Sequence, residues 1–560
     1  ETRPAASGAT TASGRPPNIL FILVDQMTPF VIGPYRSGAA ITPNLDRLAR
    51  EGVVFQNAYS NAPLCVPSRM SMFAGRLPNS IEVWDNASEL KAETPTMMHY
   101  LREAGYQTSV SGKVHFIGPD QYHGFHERLT PCIYPTHFQF MHPWSKGPYW
   151  IQGTSIQVGL ARLGISETNG QLTFDNLAFN HGMDKLRDHA LRSRDVPLFL
   201  NISFTQPHDP YCAPKKYLDM YRDADIPMPK PHEDIRKLSP TYEWVRIVHG
   251  LDKETPSPEK VREARRCYFA MCTWLDDRIG QLLAELERLG MADNTMVVFA
   301  SDHGDMLGEK GQWFKRVYLE WSARIPLIIR LPGRAQGGKR VGALASLVDL
   351  MPTFAEAAGV KIETPVDGRS LLPLLDGRED GGGREVIGDY CGEATVEPIR
   401  MVRRGDYKYI ATNNHAPQLY DLRKDPDETA NVAGRGEYST VEKELRARAE
   451  KDWDGPAIKR KVMASHAARD FMRTIPGYLS DDERNRFTVG KDTDPLGARG
   501  PSFRQVVVAP SRCLQNDAKS CSPSSRAQAA FIASRSSSRC QESTWPRVSG
   551  SRSSGRSAPR

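Results

Sequence analysis

Short apolar runs recur along the chain, and most end in a polar or charged residue. Asn18-Ile-Leu-Phe-Ile-Leu-Val-Asp25 is continuous in its apolar character, as expected of a strand covered on both faces in a parallel sheet. Similar runs at 53–59, 106–110, 197–204, 295–300 and 325–330 predict further strands. Between them the spacing turns helical. Thr42-Pro43 opens a helix over 44–50 that Gly52 closes, and Thr94-Pro95 opens another through Glu103, stopped by Gly105. A long amphipathic helix is predicted over 258–289 and a shorter one over 349–358. Residues 116–180, rich in aromatic, Gly and Pro residues, read as an irregular insertion of the kind that lines pockets. Beyond a Gly/Asp-rich stretch at 376–383, a hairpin over 399–410 and a helix over 440–453 suggest a small α+β subdomain. The organisation expected is a leader at 1–16, a catalytic domain at 17–380, the subdomain at 381–475 and a disordered tail at 476–560.

Composition changes this picture little. The chain has 560 residues, enough for one large and one smaller domain, and no apolar run long enough to span a membrane. Its formal net charge is +7, but residues 511–560 alone hold nine Lys/Arg against two Asp/Glu, so the rest is balanced. That Ser/Arg-rich tail cannot bury a core, and a nucleic-acid role is not built on it. The nine cysteines show no paired spacing, which suits a reducing, cytoplasmic compartment. Residues 1–14 lack the apolar stretch of a signal peptide, while a chain starting at Glu1 leaves upstream residues and export open.

The chemistry gathers at the predicted strand ends. Asp25, Cys65, Lys113, His115, His208, Asp302 and His303 all fall at or just beyond them, the edge where open α/β sheets bind ligands. In Leu64-Cys-Val-Pro-Ser-Arg69, Pro67 reads as the first residue of a helix, which puts Cys65 at a helix N-terminus. Arg69 adds a positive charge one turn on, an address for an oxyanion with a nucleophile beside it. Asp25, Asp302 and His303, with the neighbouring Gln26, supply hard oxygens and one imidazole for Ca²⁺, Mg²⁺ or Mn²⁺. Lys113 and Lys315 suit an oxyanion, and a histidine or lysine suits protonation of a leaving oxygen.

The run Cys65-x-Pro-Ser-Arg-x-x-x-Phe-Ala-Gly-Arg76 resembles the signature of type I sulfatases. Asp25-Gln26, Asp85-Asn86, Ser111-Gly-Lys-Val-His115, Gly118-Pro-Asp-Gln121, His123-Gly-Phe125, Pro207-His-Asp-Pro210 and Ser301-Asp-His-Gly-Asp-Met-Leu-Gly308 extend the likeness to choline sulfatases. The resemblance runs from about residue 18 to 410. It implies an alkaline-phosphatase-like α/β fold: a mixed, mostly parallel sheet flanked by helices, with a small C-terminal α+β subdomain. It further implies that Cys65 is oxidised by a formylglycine-generating maturation enzyme to formylglycine (3-oxoalanine), whose hydrate attacks sulfur. Asp25, Gln26, Cys65, Asp302 and His303 would hold the metal, Ca²⁺ in most sulfatases. Arg69, Asn86, Lys113, His115, His208 and Lys315 would surround the sulfate, with His208 or Lys315 protonating the leaving alcohol and His115 acting as base. For the quaternary ammonium of choline sulfate the candidates are Phe140, where the family carries tryptophan, with Trp144, Trp313 and Glu393. The implied activity is hydrolysis of a small sulfate ester, in a homo-oligomer. Aryl sulfate, phosphonate monoester or phosphodiester hydrolysis, and a non-catalytic binding protein on the same fold, are the other readings.

Overall fold

Strand β1 (Asn18–Val24) is buried at every position because it lies inside a nine-stranded sheet. The other strands are β2 (Val53–Tyr59), β3 (Gln107–Gly112), β4 (Glu127–Arg128), β5 (Leu198–Ser203), β6 (Thr295–Ser301), β7 (Arg324–Ile325), β8 (Leu327–Arg330) and β9 (Lys339–Ser346). Their order is β9-β2-β8-β6-β1-β5-β3-β4, with β7 paired to β2. The computed structural model describes residues 16–149, 155–333 and 337–475. The expected leader, except for its last residue, and the tail at 476–560 lie outside the described residues.

The pleat of β1 shows why the apolar runs are continuous. Ile19, Phe21 and Leu23 enter one core, while Leu20, Ile22 and Val24 enter another on the opposite face. Helices α1 (Pro43–Glu51), α4 (Gly170–Arg192) and α5 (Pro258–Arg288) supply the second core. Helices α2 (Cys65–Ala74), α3 (Met97–Glu103) and α6 (Leu350–Ala358) supply the first. β1, β3, β5 and β6 run parallel. β8 is antiparallel to both β6 and β2, so β2 again runs with β1. The C-terminal ends of β1, β2, β3, β5 and β6 therefore share one edge.

Beyond the sheet, β10 (Glu385–Tyr390), β11 (Ile399–Arg404), β12 (Tyr407–Thr412) and β13 (Gln418–Asp421) form an antiparallel meander. One face, through Tyr390, Met401, Ile410 and Tyr420, packs on Tyr59, Leu64 and Tyr318. The other packs Val402, Tyr409 and Leu419 on Leu445 and Ala449 of α7 (Ser439–Glu450). A last helix, α8 (Gly455–Thr474), follows.

Three expectations need correction. The helix bearing Cys65 starts at that residue, so Pro67 is its third residue; its missing N–H still costs nothing in the first turn. The insertion is irregular only to about 169, since α4 begins at Gly170, where the Asn169 side chain accepts from the Leu172 amide. Thr94-Pro95 precedes rather than starts α3, whose N-cap is Thr96 in a capping box with His99.

Candidate active site

Cys65 is the first residue of α2, and the turn that delivers it is clamped by the C-terminal sheet. The Asp389 amide donates to the Asn61 carbonyl at 2.9 Å, and Asn61 Nδ2 donates to the Ile387 carbonyl at 2.8 Å. Cys65 Sγ stands 3.3 Å from His303 Nε2 and 3.9 Å from Asp25 Oδ1. Potential ligand atoms of Asp25, Cys65, Asp302 and His303 all lie within 4.8 Å of one another, and all four residues are buried.

These groups fit a divalent cation. His303 Nδ1 lies 3.0 Å from the Gly304 carbonyl, which fixes the proton there and leaves the Nε2 lone pair facing Asp25 and Cys65. Burial holds the His303 imidazole down at about 3, hence neutral. Asp302 Oδ1 accepts from the backbone amides of Gln26 and His303, and its other oxygen accepts from Arg69 Nε at 2.8 Å. Against burial, the Arg69 and Lys113 charges and these amides keep its carboxyl ionised. Gln26 itself is left-handed at φ 67°, a conformation costing a non-glycine residue about 1 kcal/mol or more.

A cationic wall surrounds this cluster. Arg69 also donates to the Lys113 carbonyl at 2.7 Å and to Ser203 Oγ at 2.9 Å, while its Nη2 has no hydrogen-bond partner. Lys113 Nζ contacts Asp25 Oδ2 and sits 4.4 Å over the Tyr134 ring. Burial pulls Lys113 down to about 7. His115, left-handed at φ 63°, stacks on the same tyrosine at 4.5 Å, and both its ring nitrogens are buried without partners. Opposite, Lys315 Nζ bonds Gln26 Oε1 and lies 2.7 Å from His208 Nε2, while His208 Nδ1 lies 2.6 Å from the Asp209 carbonyl. Burial and the two lysines hold His208 well below its ordinary value. Burial pushes the Cys65 thiol up to about 11, outweighing the pull of Lys315 and Arg69. An unmodified Cys65 is therefore a neutral thiol.

The remaining expected residues divide. Asn86 Oδ1 accepts from the Val66 amide at 3.0 Å and so caps α2 beside Cys65. Gln26 turns its amide toward Lys315, Asp305 and Asp209. Phe140 lies edge-on to His115 and Tyr134, at the cluster. Trp144 packs with Trp84, Cys391 and Val462, and its Nε1 donates to the Gly392 carbonyl at 3.4 Å, next to Glu393. Trp313 belongs to the core, 1% exposed against Tyr211, and lines no aromatic cage with Phe140. Glu393 is not a free carboxylate: Arg316 Nε pairs with it at 3.2 Å, and Arg316 also reaches His249.

Two residues of the site escaped the sequence reading. Tyr134 sits at the centre of the Lys113–His115–Phe140 group, inside an insertion whose irregular backbone gives no periodic signal. Asp305 accepts from the Leu307 and Phe314 amides, Gln26 Nε2 and the Tyr211 hydroxyl, and thereby ties the Lys315 loop to Gln26. Its place in Asp302-His303-Gly304-Asp305 was the available clue.

Known proteins resemble the chain along most of its length. The sulfatase family profile matches residues 17–360, and the profile of the C-terminal region of N-sulphoglucosamine sulphohydrolase matches 308–453. A choline-sulfatase of Rhizobium meliloti is 38% identical, over 81% of this chain and 90% of its own length. An arylsulfatase of Clostridium perfringens is 29% identical over 78% of this chain and 96% of its own. Among solved structures, the phosphonate monoester hydrolase of Silicibacter pomeroyi superposes with a TM-score of 0.65 at 24% identity, covering 83% of this chain and 97% of its own.

Proposed function

The chain belongs to the sulfatase family and is a sulfatase enzyme, and from that premise we propose that it hydrolyses choline sulfate to choline and sulfate. The observation that carries the reading is the convergence of Asp25, Cys65, Asp302 and His303 beneath three cations, Arg69, Lys113 and Lys315. Asp25, Asp302 and His303, with Cys65 and Gln26 beside them, would hold a divalent metal, Ca²⁺ or alternatively Mn²⁺ or Mg²⁺. That metal supplies Lewis-acid stabilisation of oxygen charge, and a 3-oxoalanine made from Cys65 supplies the nucleophile the neutral thiol is not.

The other residues have separable tasks. Arg69 and Lys113 bind sulfate oxygens and stabilise charge that grows on them in the transition state. Lys315, hydrogen-bonded to neutral His208, holds the proton that passes to the departing alcohol oxygen. His115, neutral and unpartnered, is free to accept a proton on the opposite side when the enzyme is regenerated. Asn86 fixes the helix end on which Cys65 rides. Phe140, edge-on to His115 and Tyr134, offers an aromatic ring to a quaternary ammonium.

The Arg316–Glu393 pair favours a second reading, an uncharged leaving group such as a phenol, because a neutralised Glu393 attracts a cation weakly. Phosphonate monoester hydrolysis is the corresponding alternative on this fold. Side-by-side kcat/KM for choline sulfate, an aryl sulfate and a phosphonate monoester tests the choice. Preference for the aryl sulfate or the phosphonate would replace the choline reading. Mass spectrometry of the tryptic fragment Glu51–Arg69 tests the nucleophile, since conversion exchanges SH and H for a carbonyl oxygen. An unmodified thiol in an inactive protein would point to a binding role.

A further inference from the structure

Helix α8 (Gly455–Thr474) lies beyond both matched family profiles, which end at residues 360 and 453. Its Val462, His466, Arg469 and Arg473 recur at spacings of three and four and so share one face. That face is turned toward the body of the enzyme. Arg469 grips the buried Asp85 with both prongs, Nη1 to Oδ1 at 2.6 Å and Nη2 to Oδ2 at 2.8 Å. His466 Nε2 lies 3.0 Å from the second of these oxygens, and its Nδ1 accepts from the Trp144 amide at 3.3 Å, so the ring proton sits on Nε2 and is donated to Asp85.

Asp85 in turn organises the turn that follows it. Its Oδ1 accepts from the Ala87 amide at 2.9 Å and from Ser88 Oγ at 3.0 Å, and Ser88 Oγ accepts from the Trp84 and Asp85 amides. Asn86, inside this turn, presents Oδ1 to the Val66 amide, one residue from Cys65. Helix α2 has no side-chain cap from its own N-cap residue, Leu64, so this amide oxygen serves in place of one. A carboxylate with this many donors is costly to strand: removing its cation leaves a buried charge whose escape is to move.

We propose that Arg469 and His466 are positioning residues for the sulfatase reaction, acting through Asp85 to hold Asn86 against the N-terminus of the nucleophile helix. The proposal rests on the reading of Cys65 as the nucleophile position. The C-terminal helix is thus part of the active-site support and not an appendage.

The test combines kinetics with hydrogen exchange on the full-length protein. Arg469→Ala is expected to lower kcat, per converted Cys65, about tenfold with KM changed by less than about twofold. Amide exchange should quicken in peptides spanning 65–69 and 85–88 and stay unchanged in β1 and β6. In an Asn86→Ala background the same substitution should cost less than about twofold more, because the path is already cut. Arg469→Lys keeps the charge without the two-pronged grip and should fall between, and it serves alongside Asp85→Asn if the alanine variant does not fold. Exchange at 65–69 reads the contact whether or not Cys65 is converted, which separates this proposal from the nucleophile reading. Unchanged exchange there, or equal fold-losses with and without Asn86, would overturn it.

Discussion

Lys408, on β12, is fully buried between Glu320 at 2.8 Å and Glu428 at 2.5 Å, with Arg324 3.5 Å from Glu320. Lys113 is as fully buried beside Asp25 at the candidate active site. Burial pulls both lysines down. At Lys408 the two glutamates outweigh it and raise the group above its ordinary value; at Lys113 burial wins and the group falls to about 7. The difference lies in how charge is compensated. Where the four-stranded sheet meets the rest of the molecule, Glu320 and Glu428 face Lys408 and Arg324, and the Tyr59 hydroxyl, accepting from Arg403 Nε, donates to Glu320. At the site Arg69, Lys113 and Lys315 gather around Asp25 and Asp302, while Arg69 Nη2 and both His115 nitrogens have no hydrogen-bond partner. Fully paired charge holds two elements in register; a cluster whose buried polar groups are left without hydrogen-bond partners is open to a ligand.

The largest effect is expected at Cys65, the proposed nucleophile position. Cys65→Ala should reduce turnover on the order of 10⁵-fold while leaving the unfolding midpoint in urea nearly unchanged, because it removes only the sulfur's contacts with His303 and Asp25. Lys408→Met should do the opposite. With Glu320 and Glu428 left facing each other, stability should fall by about 3–5 kcal/mol in urea unfolding, and the protein that remains folded should turn over normally. If that variant lost activity at full stability, the two regions would not be separable as described.

Smaller effects sharpen the contrast. Lys315→Ala should lower kcat by about 10²- to 10³-fold in steady-state assays, with a modest change in stability, since it strands only Gln26 and His208. The smallest effect belongs to Asp175 on α4, a buried carboxylate beneath the His208 loop that accepts from the Thr205 and Gln206 amides and the Thr205 hydroxyl and contacts no cation directly. Burial raises it to about 7 against those donors, above its unfolded value near about 4. The folded state then binds more protons than the unfolded state between those values, so this group's contribution falls as pH rises through the window. Asp175→Asn should make the decline of unfolding free energy between pH 5 and 7 shallower by about 1 kcal/mol per pH unit. A slope identical to the unsubstituted protein would show that Asp175 is not the group responsible.

Much of the site was legible because of one topological fact. Apolar runs covered on both faces force parallel strands, and parallel strands put their C-terminal ends on one edge. Asp25, Cys65, Lys113, His115, His208, Asp302 and His303 could therefore be placed together from strand ends alone. Tyr134 could not, since an irregular insertion has no period to read. Trp313 was misjudged for the converse reason: two residues from Lys315 its ring still enters the core, because the loop reverses at Phe314, left-handed at φ 61°. Glu393 had the right chemistry for an ammonium, but its pairing with Arg316 depends on how the C-terminal sheet meets the body.

By itself the sequence determined the strand order of chemistry, the helix N-terminus bearing Cys65 and the family signature, because each is written in contiguous residues governed by local backbone physics. Only the tertiary structure decided which charges are compensated. Asp85 meets Arg469 across 384 residues, Lys408 meets Glu320 across 88, and Asn86 meets Val66 only once the turn between them has folded. Pairings at such separations carry no periodic trace in the chain. They are set by packing, and packing decides which buried groups are left open to do chemistry.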